Sequence, residues 1–263
     1  MEQRGGGQET ERPSAGRGAA RSGAQGAAAA RPVRITPYRP EDPGQPNSLC
    51  PDYVGSRLRS PREPLVRVPE TLTEVTGPDE FERLLGPALA DLTTQHAGAP
   101  LGQRIIVSGR VLDENRRPVA RTAIEIWQAN AAGRYVHQQD EWDAPLDPNF
   151  TGVGRVITDE AGRYRFVTVR PGAYPWSNHY NAWRPAHIHL SLLGPAFATR
   201  LVTQMYFPDD PLIDIDAVAN AVALPYRQRM VAHFDIHSTQ CAWALGYVFD
   251  IVLRGREATP MQA

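Results

Sequence analysis

The sequence predicts an all-β fold: a β-sandwich core with a few short helices and extended N-terminal and loop segments. Short runs with alternating apolar residues recur from Arg104 to Arg254, and polar clusters such as DENRRP (113–118) and DEAG (159–162) separate them. No internal repeat is visible, so the strands read as one sandwich or barrel. Residues 1–31 contain no Ile, Leu, Val, Phe, Tyr or Trp. Such a tail cannot bury enough apolar surface to offset its ordering entropy and is expected to be disordered. Residues 32–100 form the next division. Their proline-rich part (32–70) is expected to lie extended over a core or a partner, and PDEFERLLGPALADL (78–92) suggests one or two short helices. Residues 101–263 make up the sandwich domain. RIIVSGRVL (104–112) and TAIEIW (122–127) read as strands, and RVIT (155–158) with RYRFVTV (163–169) reads as a hairpin. HIHLSLL (187–193), TRLVTQMYF (199–207) and WALGYVFDIVLR (243–254) bring the expected total to seven or eight. A helical segment over roughly 216–234 is expected to interrupt them.

Composition removes several functions. The 28 basic and 29 acidic residues leave a formal charge of −1, which argues against nucleic acid or an anionic membrane as the main partner. Every basic residue other than histidine is arginine. Without lysine there is neither a Walker A phosphate loop nor Schiff-base catalysis. No secretory h-region and no run of roughly 18 apolar residues is present, so a soluble, cytoplasmic protein is expected. Cys50 and Cys241 are in no metal-binding spacing and are expected to be free thiols.

The most informative stretch is YPWSNHYNAWRPAHIHLSL (174–192). On a strand, His187 and His189 share a face with Cα atoms roughly 6.6 Å apart, close enough for two imidazoles to reach one metal ion. Ile188 then faces the opposite side and packs into a core. Tyr135, ending WQANAAGRY, and Tyr174 are each, taken singly, ordinary half-buried sheet residues. Together the four side chains make a site of two phenols and two imidazoles. A phenol of pKa near 10 ionises at neutral pH only beside a strong cation, and hard anionic oxygens suit a trivalent ion better than zinc. Two phenolates and a hydroxide would balance Fe(III). His96, His137, His179, His233 and His237 have no ligand-like context and are expected to be solvated or structural.

WQANAAGRY, APLDPNF (144–150), GAYPW (172–176), NAWRPAHIHLSL (181–192), TQMYF (203–207) and FDIVLRG (249–255) resemble the intradiol ring-cleaving dioxygenases. The resemblance runs from Pro51 to Arg256 and is closest to the β subunits that act on carboxylated catechols. It implies one non-haem Fe(III) per chain, with Tyr135 and His187 as equatorial ligands and Tyr174 and His189 as axial ones. Tyr174 would also serve as a base. Arg184 would stabilise charge on the ring during O2 attack, and Gln204 would sit near the ring. Tyr53 of PDY would lie near the substrate carboxylate, with Trp127, Trp176 and Val218 lining the pocket; Val218 stands where a larger aliphatic residue is expected.

The implied reaction is cleavage of protocatechuate by O2 to 3-carboxy-cis,cis-muconate, in aromatic catabolism by the β-ketoadipate route. The implied partner is a homologous α subunit, lacking the ligands, in a hetero-oligomer of αβ units. No cation in the matched motifs accompanies Tyr53, so the α chain is expected to supply one. Read from the residues alone, Arg184 pairs with a surface carboxylate and Gln204 satisfies strand backbone. The competing readings are a homodimeric catechol or hydroxyquinol 1,2-dioxygenase and a non-catalytic sandwich module.

Overall fold

The computed structural model describes residues 44–63, 66, 86–194 and 200–262. The chain divides into Met1–Arg34, outside those residues, and the unit Ile35–Ala263. The expected tail, much of the proline-rich segment and the stretch 78–85 therefore lie outside the described residues. Alternation of apolar side chains sets the strands. In order they are β1 (Arg104–Leu112), β2 (Ala123–Trp127), β3 (Val153–Ile157), β4 (Arg163–Val169), β5 (Tyr174–Pro175), β6 (Trp183–Arg184), β7 (His187–Leu193), β8 (Leu201–Tyr206), β9 (His233–Phe234), β10 (Leu245–Val248) and β11 (Ile251–Val252).

They form two main sheets. One has the order β11-β1-β10-β9 with β4 also paired to β1; the other is β3-β2-β7-β8. A two-stranded ribbon, β5-β6, stands beside them in sequence. A shared core contains Ile105, Val107, Phe166 and Tyr247 from the first sheet and Ile124, Ile126, Ile188 and Leu190 from the second. The sandwich is therefore the observed architecture, and Ile188 is fully buried as expected.

Four expectations about elements are corrected. The runs around DEAG do not pair as a hairpin. All of β4 pairs with β1 and all of β3 with β2, so the turn carries the chain from one sheet to the other. The run 243–254 is not one strand. Both halves pair parallel with β1, but the chain breaks step between them, where Phe249 N donates to Ser108 O at 2.8 Å and Arg110 N donates to Asp250 Oδ1 at 2.9 Å. Gly109 permits this close approach, since a Cβ there would sit 2.0 Å from the Phe249 carbonyl oxygen.

Residues 216–234 are not one helix either. They hold a single helical turn, Ala217–Asn220, then a 3₁₀ turn over Tyr226–Met230 and the strand β9. Pro225 removes a backbone donor in the middle of the run, and the apolar residues Ala219, Val222 and Met230 pack on Tyr206 in a small cluster of their own. Within 86–92 there is no helix. Leu89 and Asp91 instead bridge to Arg155 and Val167. Cys50 is buried, Cys241 is exposed, and both are free thiols. Among the described residues no helix is long and apolar enough to cross a membrane.

Candidate metal centre and active site

The second sheet turns one face to the core and the other to the site. Along β7, Ile188, Leu190 and Leu192 enter the core, leaving His187 and His189 on the opposite face. Strand pairing sets Trp127 and Gln204 on either side of His189, and Tyr206 beside His187. The β5-β6 ribbon makes Tyr174 and Arg184 direct cross-strand partners just before β7 begins. Tyr135 arrives on a loop stitched by Asn130, whose side-chain oxygen accepts from Ala132 N and Arg134 N. Gly133 in that loop has φ +80°, and a Cβ there would meet Ala173 O at 2.3 Å. This contact brings the two tyrosine loops together, with the rings of Tyr135 and Tyr174 5.5 Å apart and nearly perpendicular. Asp140 accepts from Tyr135 N at 2.7 Å and steadies the loop from its far side.

The four expected ligands converge. His187 Nε2 lies 3.2 Å from His189 Nε2 and 3.4 Å from the Tyr174 hydroxyl. Each histidine has its other nitrogen against an acceptor, His187 Nδ1 on Pro185 O at 2.7 Å and His189 Nδ1 on Gln262 Oε1 at 2.9 Å. These partners assign the proton to Nδ1 in both rings, so two Nε2 lone pairs face each other. Two lone pairs at that distance repel unless a cation lies between them. The buried Tyr135 hydroxyl makes no hydrogen bond of full geometry, with only the Tyr174 hydroxyl beside it, another phenol. Both facts fit a site built for a metal ion. Among the described residues no group of three or more His, Cys, Asp or Glu side chains is placed to hold a metal ion, so the two histidines here could do so only together with the tyrosines. The donor set is two phenols and two imidazoles, the set suited to a hard trivalent cation.

The electrostatics agree. Burial holds the His187 imidazole well below the usual histidine range, with Arg184 and His189 adding to the effect, and holds His189 down to about 4. Both rings are therefore neutral at neutral pH. Burial raises the pKa of the Tyr135 phenol well above its ordinary value, with Tyr174 reinforcing it, and raises that of Tyr174 against the opposing pull of Arg184. Only a strong cation would ionise them. Burial works against the charged form of Arg184, but Tyr206 and Asp216 more than compensate and leave it firmly protonated.

Arg184 is buried, and its partner is not the surface carboxylate expected from the residue alone. Its Nε pairs with Asp216 at 3.0 Å, and Asp216 is fully buried. The guanidinium donates to Gln204 Oε1 at 2.5 Å and lies 5.5 Å above the Trp176 ring. Gln204 contacts side chains rather than the backbone, accepting also from the Tyr206 hydroxyl at 2.7 Å. Trp127 stacks on His189, with ring centres 4.7 Å apart and planes within 7°. Tyr53 meets Trp176 edge-on at 5.4 Å, and Asn178 ties its segment down by accepting from Val54 N and donating to Asp52 O, both at 2.8 Å. Arg59 lies over the Tyr53 ring at 4.6 Å, brought there by the helical turn Ser56–Arg59. Val218 is buried on the turn that Asp216 caps.

Asp216, Asp140, Asn178 and Gln262 were not singled out by the sequence. Only Asp216 carried a local signal, an N-cap aspartate before AVAN. His96, His137, His179, His233 and His237 make no contact with the centre; His96, for example, bonds Thr151 at the surface. A separate open groove of about 620 Å³, lined by Arg110, Arg163 and Arg165 among others, includes none of these site residues.

A dioxygenase family model matches residues 75–255, and a model of the N-terminal region of the protocatechuate 3,4-dioxygenase beta subunit matches residues 38–71. The protocatechuate 3,4-dioxygenase beta chain of Burkholderia cepacia is 54% identical over 233 residues, covering 88% of this chain and 98% of that one. The hydroxyquinol 1,2-dioxygenase of Rhizobium sp. (strain MTP-10005) is 34% identical, covering 62% of this chain and 58% of that one. The protocatechuate 3,4-dioxygenase alpha chain of Pseudomonas putida is 28% identical, covering 74% and 97%. With a dioxygenase model over its sandwich and a relative matched along nearly its whole length, this chain belongs to the intradiol ring-cleaving dioxygenase family.

Proposed function

We propose that this chain is the iron-bearing β subunit of a protocatechuate 3,4-dioxygenase, converting protocatechuate and one O2 to 3-carboxy-cis,cis-muconate. The observation that carries the reading is the convergence of two phenols and two Nδ1-tethered imidazoles beside a buried arginine. Tyr135, Tyr174, His187 and His189 would hold one Fe(III). When bound, that ion would supply Lewis acidity toward a catechol substrate.

The remaining work falls to the chain itself. Tyr174, on a two-residue strand rather than in the packed sheet, would be a phenolate beside the bound ion, and its oxygen would accept a catechol proton as substrate binds. Arg184 stays charged at neutral pH, and Asp216 and Gln204 hold it in place. It stabilises negative charge developing on the ring in a site sheltered from water. Trp127 and Trp176 form walls and Val218 a small apolar surface, while Tyr53 with Arg59 faces the ring substituent. A carboxylate there calls for a donor and a cation, and this pair provides both.

The B. cepacia relative is matched almost end to end, whereas the hydroxyquinol enzyme is matched over little more than half its length, which favours the β-subunit reading over the homodimeric one. The similarity to an alpha chain supports a homologous partner, in a cytoplasmic hetero-oligomer of αβ units. The test is oxygen uptake by the iron-loaded chain, with and without an α chain, on protocatechuate, catechol and hydroxyquinol. Protocatechuate should be consumed mole for mole with O2, and the protein should be red to burgundy from phenolate-to-iron charge transfer. Tyr135→Phe should bleach that colour, whereas Tyr164→Phe, whose hydroxyl serves Phe249 O in the core, should keep it. A colourless protein fully loaded with zinc would overturn the reading.

A further inference from the structure

The segment 258–262 is pinned beside the site by contacts independent of any metal. Thr259 N donates to Val252 O at 2.8 Å, the buried Thr203 hydroxyl donates to Pro260 O at 2.7 Å, and Gln262 N donates to Val202 O at 3.0 Å. Met261 N also donates to Gln45 Oε1 at 2.8 Å. The Gln262 side chain is thereby delivered to the back of His189. Its Oε1 accepts from His189 Nδ1 at 2.9 Å and from Gln204 Nε2 at 3.2 Å, and Gln204 in turn receives Arg184 and Tyr206.

We propose that Gln262 is a positioning residue: it selects the tautomer and ring orientation of His189 and links that ring through Gln204 to Arg184. The argument rests on what the other neighbour cannot do. Trp127 fixes the plane of the imidazole by stacking, but a stacked ring can turn over within its plane and exchange the edge it presents. Only an acceptor at Nδ1 distinguishes the two edges and places the Nε2 lone pair in the site. A single acceptor oxygen shared by His189 and Gln204 also means that the ring and the guanidinium keep one relative placement. The inference depends on the metal-binding reading above for its catalytic meaning, but the tautomer itself is a property of the chain.

The test uses the full chain with its α partner and two substitutions. Gln262→Met keeps the length of the side chain and removes the acceptor; Gln262→Glu keeps an acceptor. Solid-state NMR of the 15N-histidine-labelled, metal-stripped complex reads the His189 ring nitrogens directly. One tautomer with unprotonated Nε2 is expected in the parent and in Gln262→Glu, and a mixture in Gln262→Met. In the iron-loaded complexes, release of iron to a chelator should be about 10- to 100-fold faster for Gln262→Met than for the parent. The charge-transfer band should also move, and Gln262→Glu should restore slow release. An unchanged His189 tautomer in metal-stripped Gln262→Met overturns the proposal whatever iron does. A changed tautomer in a chain that never develops the ferric colour, parent included, supports the positioning role and overturns the iron reading instead.

Discussion

Asp216 serves three neighbours from a fully buried position. It pairs with the Arg184 Nε, caps the turn that follows it through Val218 N and Ala219 N, and lies 3.4 Å from the Tyr206 hydroxyl. Removing one partner of a buried ion pair leaves an uncompensated charge and costs about 3–5 kcal/mol. Arg184→Leu is therefore expected to lose that much stability in chemical denaturation. On the fraction that remains folded and coloured, turnover should fall by about 10²- to 10³-fold. Adding Asp216→Asn, which keeps a capping oxygen but no charge, should recover most of the stability and none of the turnover. A double variant as active as the parent would show Arg184 to be structural. The four residues that converge in the site were legible because they fall in compact motifs. Asn178 and Gln262 were not, because their roles exist only across the fold: Gln262 meets a ring 73 positions away, and Asn178 reaches back 126 to Asp52. Asp216 shows locally only as a cap, its pairing with Arg184 lying across the fold.

The strands β2, β7 and β8, which carry Trp127, the two histidines and Gln204, were legible to within a few residues, since each has one face in a core and alternation records it; the two-residue strands β5 and β6 were not, being too short to show a period. Partners were less so. The β3 and β4 runs flank a short turn, which is also what a hairpin looks like, and only the two sheets' separate pairings show that the chain crosses between layers. The supposed helix over 216–234 failed because its apolar residues answer to Tyr206 and one another rather than to a continuous helical stripe. The loop around Gly133 offers a test of how the site depends on its supports. Gly133→Val adds a branched side chain where φ is +80° and Ala173 O is 2.3 Å from the first added carbon. The loop should shift, separating Tyr135 from Tyr174, with loss of ferric colour and iron content. Thermal stability should change far less, because the sandwich core lies elsewhere. Retained colour and full iron content would show that the tyrosines find each other without that contact.

For the whole molecule, two expectations concern parts beyond the described residues. Deleting residues 1–31, which hold no large apolar side chain other than Met1, should leave melting temperature and oxygen uptake within error. Co-expression with an α chain should yield a complex at one to one and raise specific activity well above that of this chain alone; a fully active homo-oligomer would instead place it with the homodimeric enzymes. The topology has a further consequence, in time rather than in space. The sheet β3-β2-β7-β8 is complete once the chain has been made through Tyr206, so the two histidines can be in register early. The other sheet cannot close then, because β1, among the earliest strands, takes β10 and β11 as parallel neighbours. During synthesis one side of β1 must wait for more than a hundred residues, an interval in which its apolar edge is open to chance pairing with other nascent chains. Slow translation or a stall before Leu245 should therefore favour aggregation over an iron-free but folded intermediate.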